Sequence, residues 1–274
     1  MDGSRHRPAS CLQVFTLMLA VAAGEAWAAT FDVAVSPPTF ELKAKRGEKV
    51  RAAFRITNND SQAGSYLFRT ADWDLGSSGT VSFVEGQPVA GSCRPWVRIE
   101  RHALNLGPQT TRPYRFEVHV PPDAADGECR FALLVSPDPR TVKPVVTGNL
   151  RIPVVGRIGV IAYVTIGDAR PKLSFRGVKR AVVNGRPAPV AVFANEGTAH
   201  GRPFGILDAR ESTGRSIEAQ VMPAPVLPGQ TREVPIVSAE KDPKGNPLAL
   251  TLPLRLKGKI EWEGGSQAID ERIE

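Results

Sequence analysis

The chain has 274 residues, with 35 Lys and Arg against 28 Asp and Glu and a formal net charge of +7. The positive charges are scattered, without a run of five or more Lys or Arg and without an accompanying base-stacking aromatic pattern, which excludes nucleic acid as a partner. A basic surface of this kind suits acidic lipid, polysaccharide or a carboxylate on another protein.

The N-terminus carries Arg5 and Arg7, then an apolar run from Cys11 to Ala23, then small residues ending Ala26-Trp27-Ala28. That three-part pattern predicts a secretion signal over residues 1–28, cleaved near Ala28, and hence a periplasmic protein. The apolar run, about 13 residues, is too short for the ~30 Å of a bilayer core, and no later stretch approaches 18 apolar residues, so no integral membrane segment is expected. Cys11 stands at the start of the run rather than its end, which argues against a lipid anchor. Arg5 and Arg7 balance Asp2 and Glu25, so removing the signal leaves the net charge of +7 unchanged. Two cysteines remain, Cys93 and Cys129, and in an oxidising compartment such a pair is expected to be a disulfide. Spacing alone does not decide it, since a bridge needs Cα atoms within about 7 Å. The remaining chain, about 245 residues, is too long for one sandwich of roughly 100 and fits two. The expected division is 29–164 and 165–274.

In chain order, period-two alternation dominates and helical spacing is almost absent beyond the signal. Phe31-Val33-Val35 is the first strand and runs into Pro37-Pro38, which suits a sheet edge because Pro cannot donate to a ladder. Val50, Ala52, Phe54 and Ile56 share a face of the second, which ends at Asn58-Asn59-Asp60. The third places Leu67, Ala71, Trp73 and Leu75 opposite Phe68, Asp72 and Asp74, and stops at Gly76-Ser77-Ser78-Gly79. Val81 to Val84 and Trp96 to Glu100 are short strands. Tyr114, Phe116, Val118 and Val120 alternate cleanly against Arg115, Glu117 and His119. After Ala125-Asp126-Gly127, Cys129, Phe131, Leu133 and Val135 share one face, which aims the Cys129 sulfur into the core. Leu150 to Tyr163 reads as one long β-branched strand. Short strands with regular turns predict an all-β fold of two tandem immunoglobulin-like sandwiches. The second repeats the logic with Leu173-Phe175, Val190-Val192-Phe193, Ile206 to Ala209, Val234 to Val237 and Leu252 to Trp262. Gly167 to Pro171 forms a short bend between the two, and 267–274 is either a final strand or a frayed tail.

No motif for a hydrolase, nucleotide-binding or zinc-protease site occurs, so no enzyme and no cofactor is expected. His102, His119 and His200 are far apart in sequence, whereas a metal needs at least three convergent ligands, and no metal site is expected. Asp72-Trp73-Asp74 reads as a tryptophan core anchor between solvated acids, because a carboxylate pair for chemistry needs a cleft and calcium needs six or more oxygens. Trp96 and Trp262 suit either core packing or carbohydrate stacking.

Four segments carry a resemblance: F-D-V-A-V-S-P-P-T-F-E-L at 31–42, I-T-N-N at 56–59, G-E-C-R-F-A-L-L-V-S-P at 127–137, and N-L-R-I-P-V-V-G-R-I-G-V-I-A-Y at 149–163. Together they resemble periplasmic pilus-assembly chaperones of the PapD-like superfamily over residues 30 to 163, and more weakly over the whole layout. The resemblance implies a chaperone for pilus, fimbrial or other surface-appendage subunits, working by β-strand addition. Its implied partners are a secreted pilus-like subunit and an outer-membrane usher. Leu150, Ile152, Val154, Ile158 and Val160 are the expected donor-strand side chains; the other reading of this segment is a strand that joins both domains and buries both faces. The family also anchors a subunit carboxylate with an Arg in the first strand and a Lys in the last. Here those positions hold Glu41 and Gly159, and Tyr163 to Ile166 stands where an Arg ordinarily follows the last strand. Lys43 and Arg157, each two residues away on the same strand face, are the expected substitutes. The competing function is a non-catalytic envelope or adhesion module of immunoglobulin or fibronectin type, binding glycan or other surface proteins.

Overall fold

A computed structural model describes residues 31–76, 79–141, 145–147, 150–152 and 156–274. The expected signal at 1–28 and the donor candidate Val154 lie outside the described residues, as do the side chains of Leu150 and Ile152. The protein is all-β, with one 3-10 turn at Arg94–Trp96 and no α-helix among the described residues.

The first sandwich opens with a strand that changes sheets. β1 (Val33–Ser36) pairs antiparallel with β3 (Lys49–Asn58), and after Pro37-Pro38 the chain continues as β2 (Thr39–Ala44), which runs parallel to β12 (Ile158–Ile166). Two prolines in succession cannot extend either ladder, so the crossing falls where the backbone has fewest donors to satisfy. One sheet has the order β1-β3-β8-β6, with β8 Thr111–His119 and β6 Val97–Ile99; the other is β2-β12-β9-β4-β5, with β9 Gly127–Pro137, β4 Gly64–Leu75 and β5 Val81–Val84, and β7 (Ala103–Leu106) on the free end of β4.

The expected alternation is realised across β3 and β8. Val50, Ala52 and Phe54 face Val118, Phe116 and Tyr114 in register, and Phe68 stacks on Tyr114 with ring centroids 3.9 Å apart. Burying Phe54, Phe68, Tyr114, Phe116 and Phe131 together makes this the main apolar core, each side chain contributing roughly 1.5–3 kcal/mol. The Tyr114 hydroxyl donates to the Arg101 carbonyl, and burial raises its pKa far above the usual tyrosine range. Cys129 lies on the core face of β9 beside Phe131 and Leu133, and its sulfur is bonded to Cys93, with Cα atoms 5.3 Å apart.

Two expectations for this domain are corrected. Residues 150–163 are not one strand: β11 (Leu150–Ile152) pairs back on β10 (Val145–Thr147), and the sheet is entered only at Ile158. Pro153 removes a ladder donor and Gly156 supplies no side chain, so continuous pairing has nothing to hold it there. Asp72 is not solvated either. It is 2% exposed, accepts from Val89 N at 3.2 Å and from Ser92 Oγ, and faces Arg94 Nη1 at 3.5 Å. It therefore ties the loop carrying Cys93 to β4.

The second sandwich is one antiparallel sheet of order β13-β14-β17-β16-β15-β18-β19, folded so that its first and last strands approach each other. These are Leu173–Val183, Arg186–Asn195, Thr231–Ser238, Ser216–Val221, Phe204–Glu211, Leu254–Trp262 and Gly265–Ile273 in that spatial order. The β13–β14 hairpin turns on Asn184-Gly185 with φ of 52° and 76°, the pair that a two-residue hairpin favours. β19 settles the ambiguous tail as a final strand, with Ile269 and Ile273 buried. Trp262 packs edge-on against Phe193 at 5.3 Å and Trp96 packs against the first core, so both serve packing.

Candidate functional site

Strand β12 is paired unequally on its two sides. β9 pairs with it from Ile158 to Ile166, but β2 pairs only from Ile161, whose N–H reaches the Pro38 carbonyl at 2.9 Å. Backbone groups alternate sides along a strand, so Gly159 points its N–H and C=O the same way as Ile161, toward an edge that no strand occupies among the described residues. Side chains alternate between the faces. Ile158 and Val160 point into the first sandwich, Val160 at 1% exposure and Ile158 half-buried at the margin of the core. Gly159 lies on the opposite face beneath the Phe83 ring, where any Cβ would sit 2.2 Å from Phe83 Cζ.

That opposite face of the sheet is apolar and looks toward the second domain. Ala71, Trp73, Leu75, Ala132, Leu134 and Tyr163 cluster there with Leu227 of the second domain. Trp73 meets Tyr163 edge-on at 5.2 Å and donates its indole N–H to the Phe131 carbonyl at 3.1 Å. The tryptophan is thus an anchor, but of the interdomain face rather than of the sandwich interior.

Polar contacts complete the elbow. Glu128 N donates to the Thr198 carbonyl at 2.8 Å, His200 N donates to Glu128 Oε2 at 3.1 Å, and His200 Nδ1 lies 2.5 Å from the same oxygen. Arg202 Nη1 contacts Glu41 and lies 2.5 Å from His200 Nε2. Glu41 Oε1 also lies 3.5 Å from His200 Nε2, so the imidazole sits between two carboxylates and the Arg202 guanidinium. The His200 ring lies over Tyr163 at 4.0 Å. Burial, with Glu128 and Glu41 nearby, pushes the Tyr163 hydroxyl up to about 12 against the opposing pull of Arg202 and Arg130. His200 and Arg202 carry no sequence signal for this role, since both act on residues more than 70 positions away.

Lys43 and Arg157 are not brought together. Thr39 pairs with Ile161 in a parallel register, so Arg157 is four positions before that pair and Lys43 four after it. Eight residues at ~3.3 Å each put them about 25 Å apart, too far to hold one carboxylate. Arg157 instead pairs with Glu85 at 2.5 Å, and Lys43 is exposed at the far end of β2. Glu41, at the family's Arg position, is occupied by Arg202. Among the described residues no group of three or more His, Cys, Asp or Glu converges to hold a metal.

No protein-family model matches the sequence, and no curated protein does. Solved structures that this chain resembles include the class 5 fimbriae chaperone CfaA, at 10% identity over 89% of this chain and 99% of that one, with a TM-score of 0.45. The Pseudomonas aeruginosa CupB2 chaperone matches at 12% identity over 88% and 100%, with a TM-score of 0.44. A complex of the Salmonella enterica SafA pilin with the SafB chaperone matches at 9% identity over 89% and 97%, with a TM-score of 0.45.

Proposed function

We propose that the protein is a periplasmic, chaperone-like factor that assists assembly of pilus, fimbrial or other surface-appendage subunits by β-strand addition. The observation that carries this reading is the edge of β12 before Ile161, unpaired among the described residues, with the β10–β11 hairpin preceding it in the chain. An open edge offers main-chain pairing to an incoming strand, and natural proteins normally cover such edges when they are not used. Val160 is committed to its own core, so the donated stretch runs from Leu150 to Ile158, with Leu150, Ile152, Val154 and Ile158 as its side chains. The partner is a secreted subunit whose own sandwich lacks a strand, delivered in turn to an outer-membrane usher. Lys43 and Arg157 would act separately, each meeting a different part of such a subunit.

The test replaces Ile152 and Val154 with Asp, singly, and measures co-purification of subunit from periplasm. Loss of the subunit with unchanged thermal unfolding supports strand addition. Retention of the partner by both variants would favour the envelope or adhesion module, which binds through another surface.

A further inference from the structure

The outer face of the β1-β3-β8-β6 sheet points away from the second domain, which meets the other sheet of the first sandwich around Trp73, Leu134 and Tyr163. Its outward residues alternate with the core set of Phe54, Tyr114 and Phe116, and the strand register lays them out in rungs. Glu117 stands between Arg51 and Arg98, Ala53 stands opposite Arg115, and Arg55 stands between Ser36 and Pro113. Lys49 ends the face opposite His119. Lys49, Arg51, Arg55, Arg98 and Arg115 are all exposed. Strands about 4.8 Å apart, rising about 3.3 Å per residue, place these five cations within a patch of about 10 by 20 Å.

Carboxylates compensate little of this charge. Glu117 is shared by Arg51 at 2.6 Å and His119 at 2.8 Å. Glu100, at the margin, takes Arg101 and lies 3.8 Å from Arg115. Lys49, Arg55 and Arg98 form no ion pair among the described residues, and Arg98 Nη1 donates instead to the Pro95 and Val97 carbonyls at 3.1 Å. Five cations stand against Glu117, and Glu100 and Arg101 cancel, so the face holds +4 of the chain's formal +7. Asp32 lies beyond it, past Ala34, where the Asn59 side chain donates to it at 3.0 Å. Between the cations stand Ser36, Ala53 and Pro113, short side chains over which the guanidiniums project. The large exposed apolar side chains, Val182, Phe204 and Ile206 among them, lie on other surfaces.

The cations are spread over three adjacent strands rather than strung along one, and no Phe, Tyr or Trp projects among them. A polymer chain is best held by a track or groove with stacking side chains, whereas a plane of cations matches a plane of anions. Four of the five are arginines, whose forks take two phosphate oxygens at once. We infer that the outer face of the β1-β3-β8-β6 sheet docks the protein peripherally, by charge, on a bilayer surface rich in anionic phospholipid. Each cation brought near such a surface is worth about fivefold in affinity. The β12 edge belongs to the other sheet and stays free in this arrangement, so docking does not depend on strand addition.

The experiment sediments the mature two-domain protein with vesicles of phosphatidylcholine alone, or with about one-third phosphatidylglycerol, in NaCl from about 50 to 500 mM. Binding to the anionic vesicles only, lost toward the upper salt limit, is expected. Arg55→Gln and Arg98→Gln should each weaken it about fivefold and together about 25-fold, with thermal unfolding unchanged because neither side chain is ion-paired. Arg210→Gln, at an exposed arginine of the second sandwich, should leave binding as it is. Equal binding to both vesicle types, no binding to either, or a double variant that binds like the wild type would overturn the inference. Binding to alginate, a polyuronate, without binding to vesicles would also overturn it and assign the face to an acidic polysaccharide. If the double variant fails to fold, Lys49→Gln, expected to cost the same fivefold, and the salt series on the wild type decide.

Discussion

Replacing Cys93 and Cys129 together with Ala tests how the first sandwich is held. The cysteines are 36 positions apart, so the bridge closes a loop of about 37 residues. The chain-entropy model then gives about 13 cal/mol/K, or about 4 kcal/mol at 25 °C, withdrawn from the unfolded state. Both side chains are buried, at 0% and 6% exposure, so the lost sulfur packing adds about 1 kcal/mol. The bridge lies wholly within the first sandwich, and its partner domain should be insensitive. Urea unfolding followed through Trp73 and Trp96 in one domain, and through Trp262 in the other, separates the two transitions. We expect the first to lose about 5 kcal/mol and the second to stay within 0.5 kcal/mol. A loss below about 1.5 kcal/mol, or an equal loss in both domains, would refute the reasoning.

Asp72→Ala should destabilise the first sandwich by about 2–4 kcal/mol, because it strands Arg94, whose side chain is 16% exposed, and frees Val89 N and Ser92 Oγ; denaturant unfolding reads this directly, and a loss under 1 kcal/mol contradicts the buried placement. All three tyrosines, Tyr66, Tyr114 and Tyr163, have raised pKa values, with desolvation as the leading cause. The folded state therefore holds the neutral phenol while the unfolded chain ionises near 10, so stability is complete below about pH 10 and falls as pH rises from there toward 12. Absorbance at 295 nm should show the tyrosines ionising at higher pH in the native protein than in denaturant, where they titrate near 10; a native titration matching the denatured one would contradict it.

Much of the first sandwich is legible in the sequence because its strands bury one face against a core and so alternate strictly. The inward set of Cys129, Phe131, Leu133 and Val135 follows from that parity, while the bridge to Cys93 is expected from two cysteines in an exported chain. Strand β4 is harder to read, because it is apolar on both faces: Phe68 packs into the sandwich while Ala71, Trp73 and Leu75 pack against the second domain. Asp72 then falls on the inner side, where local pattern predicts exposure and only the distant Ser92 loop satisfies it. The break in 150–163 was signalled by Pro153 and Gly156, but β-branched residues on both sides outweighed them in a reading by composition. The hairpin at Asn184-Gly185 carries a strong local signal, since both residues accept the positive φ that a two-residue turn requires. The elbow of Glu41, Glu128, His200 and Arg202 has no local signature at all, since contacts between domains depend on how two finished sandwiches meet. Register, likewise, is what separates Lys43 from Arg157.

The most direct measurement of strand addition is hydrogen–deuterium exchange on the protein alone and in complex with a co-purified subunit. The account predicts strong new protection of backbone amides from Leu150 to Gly159 in the complex, with little change from Ile161 to Ile166, where β2 already occupies the edge. Unchanged exchange at 150–159 in a stable complex, with protection appearing on another surface, would contradict it.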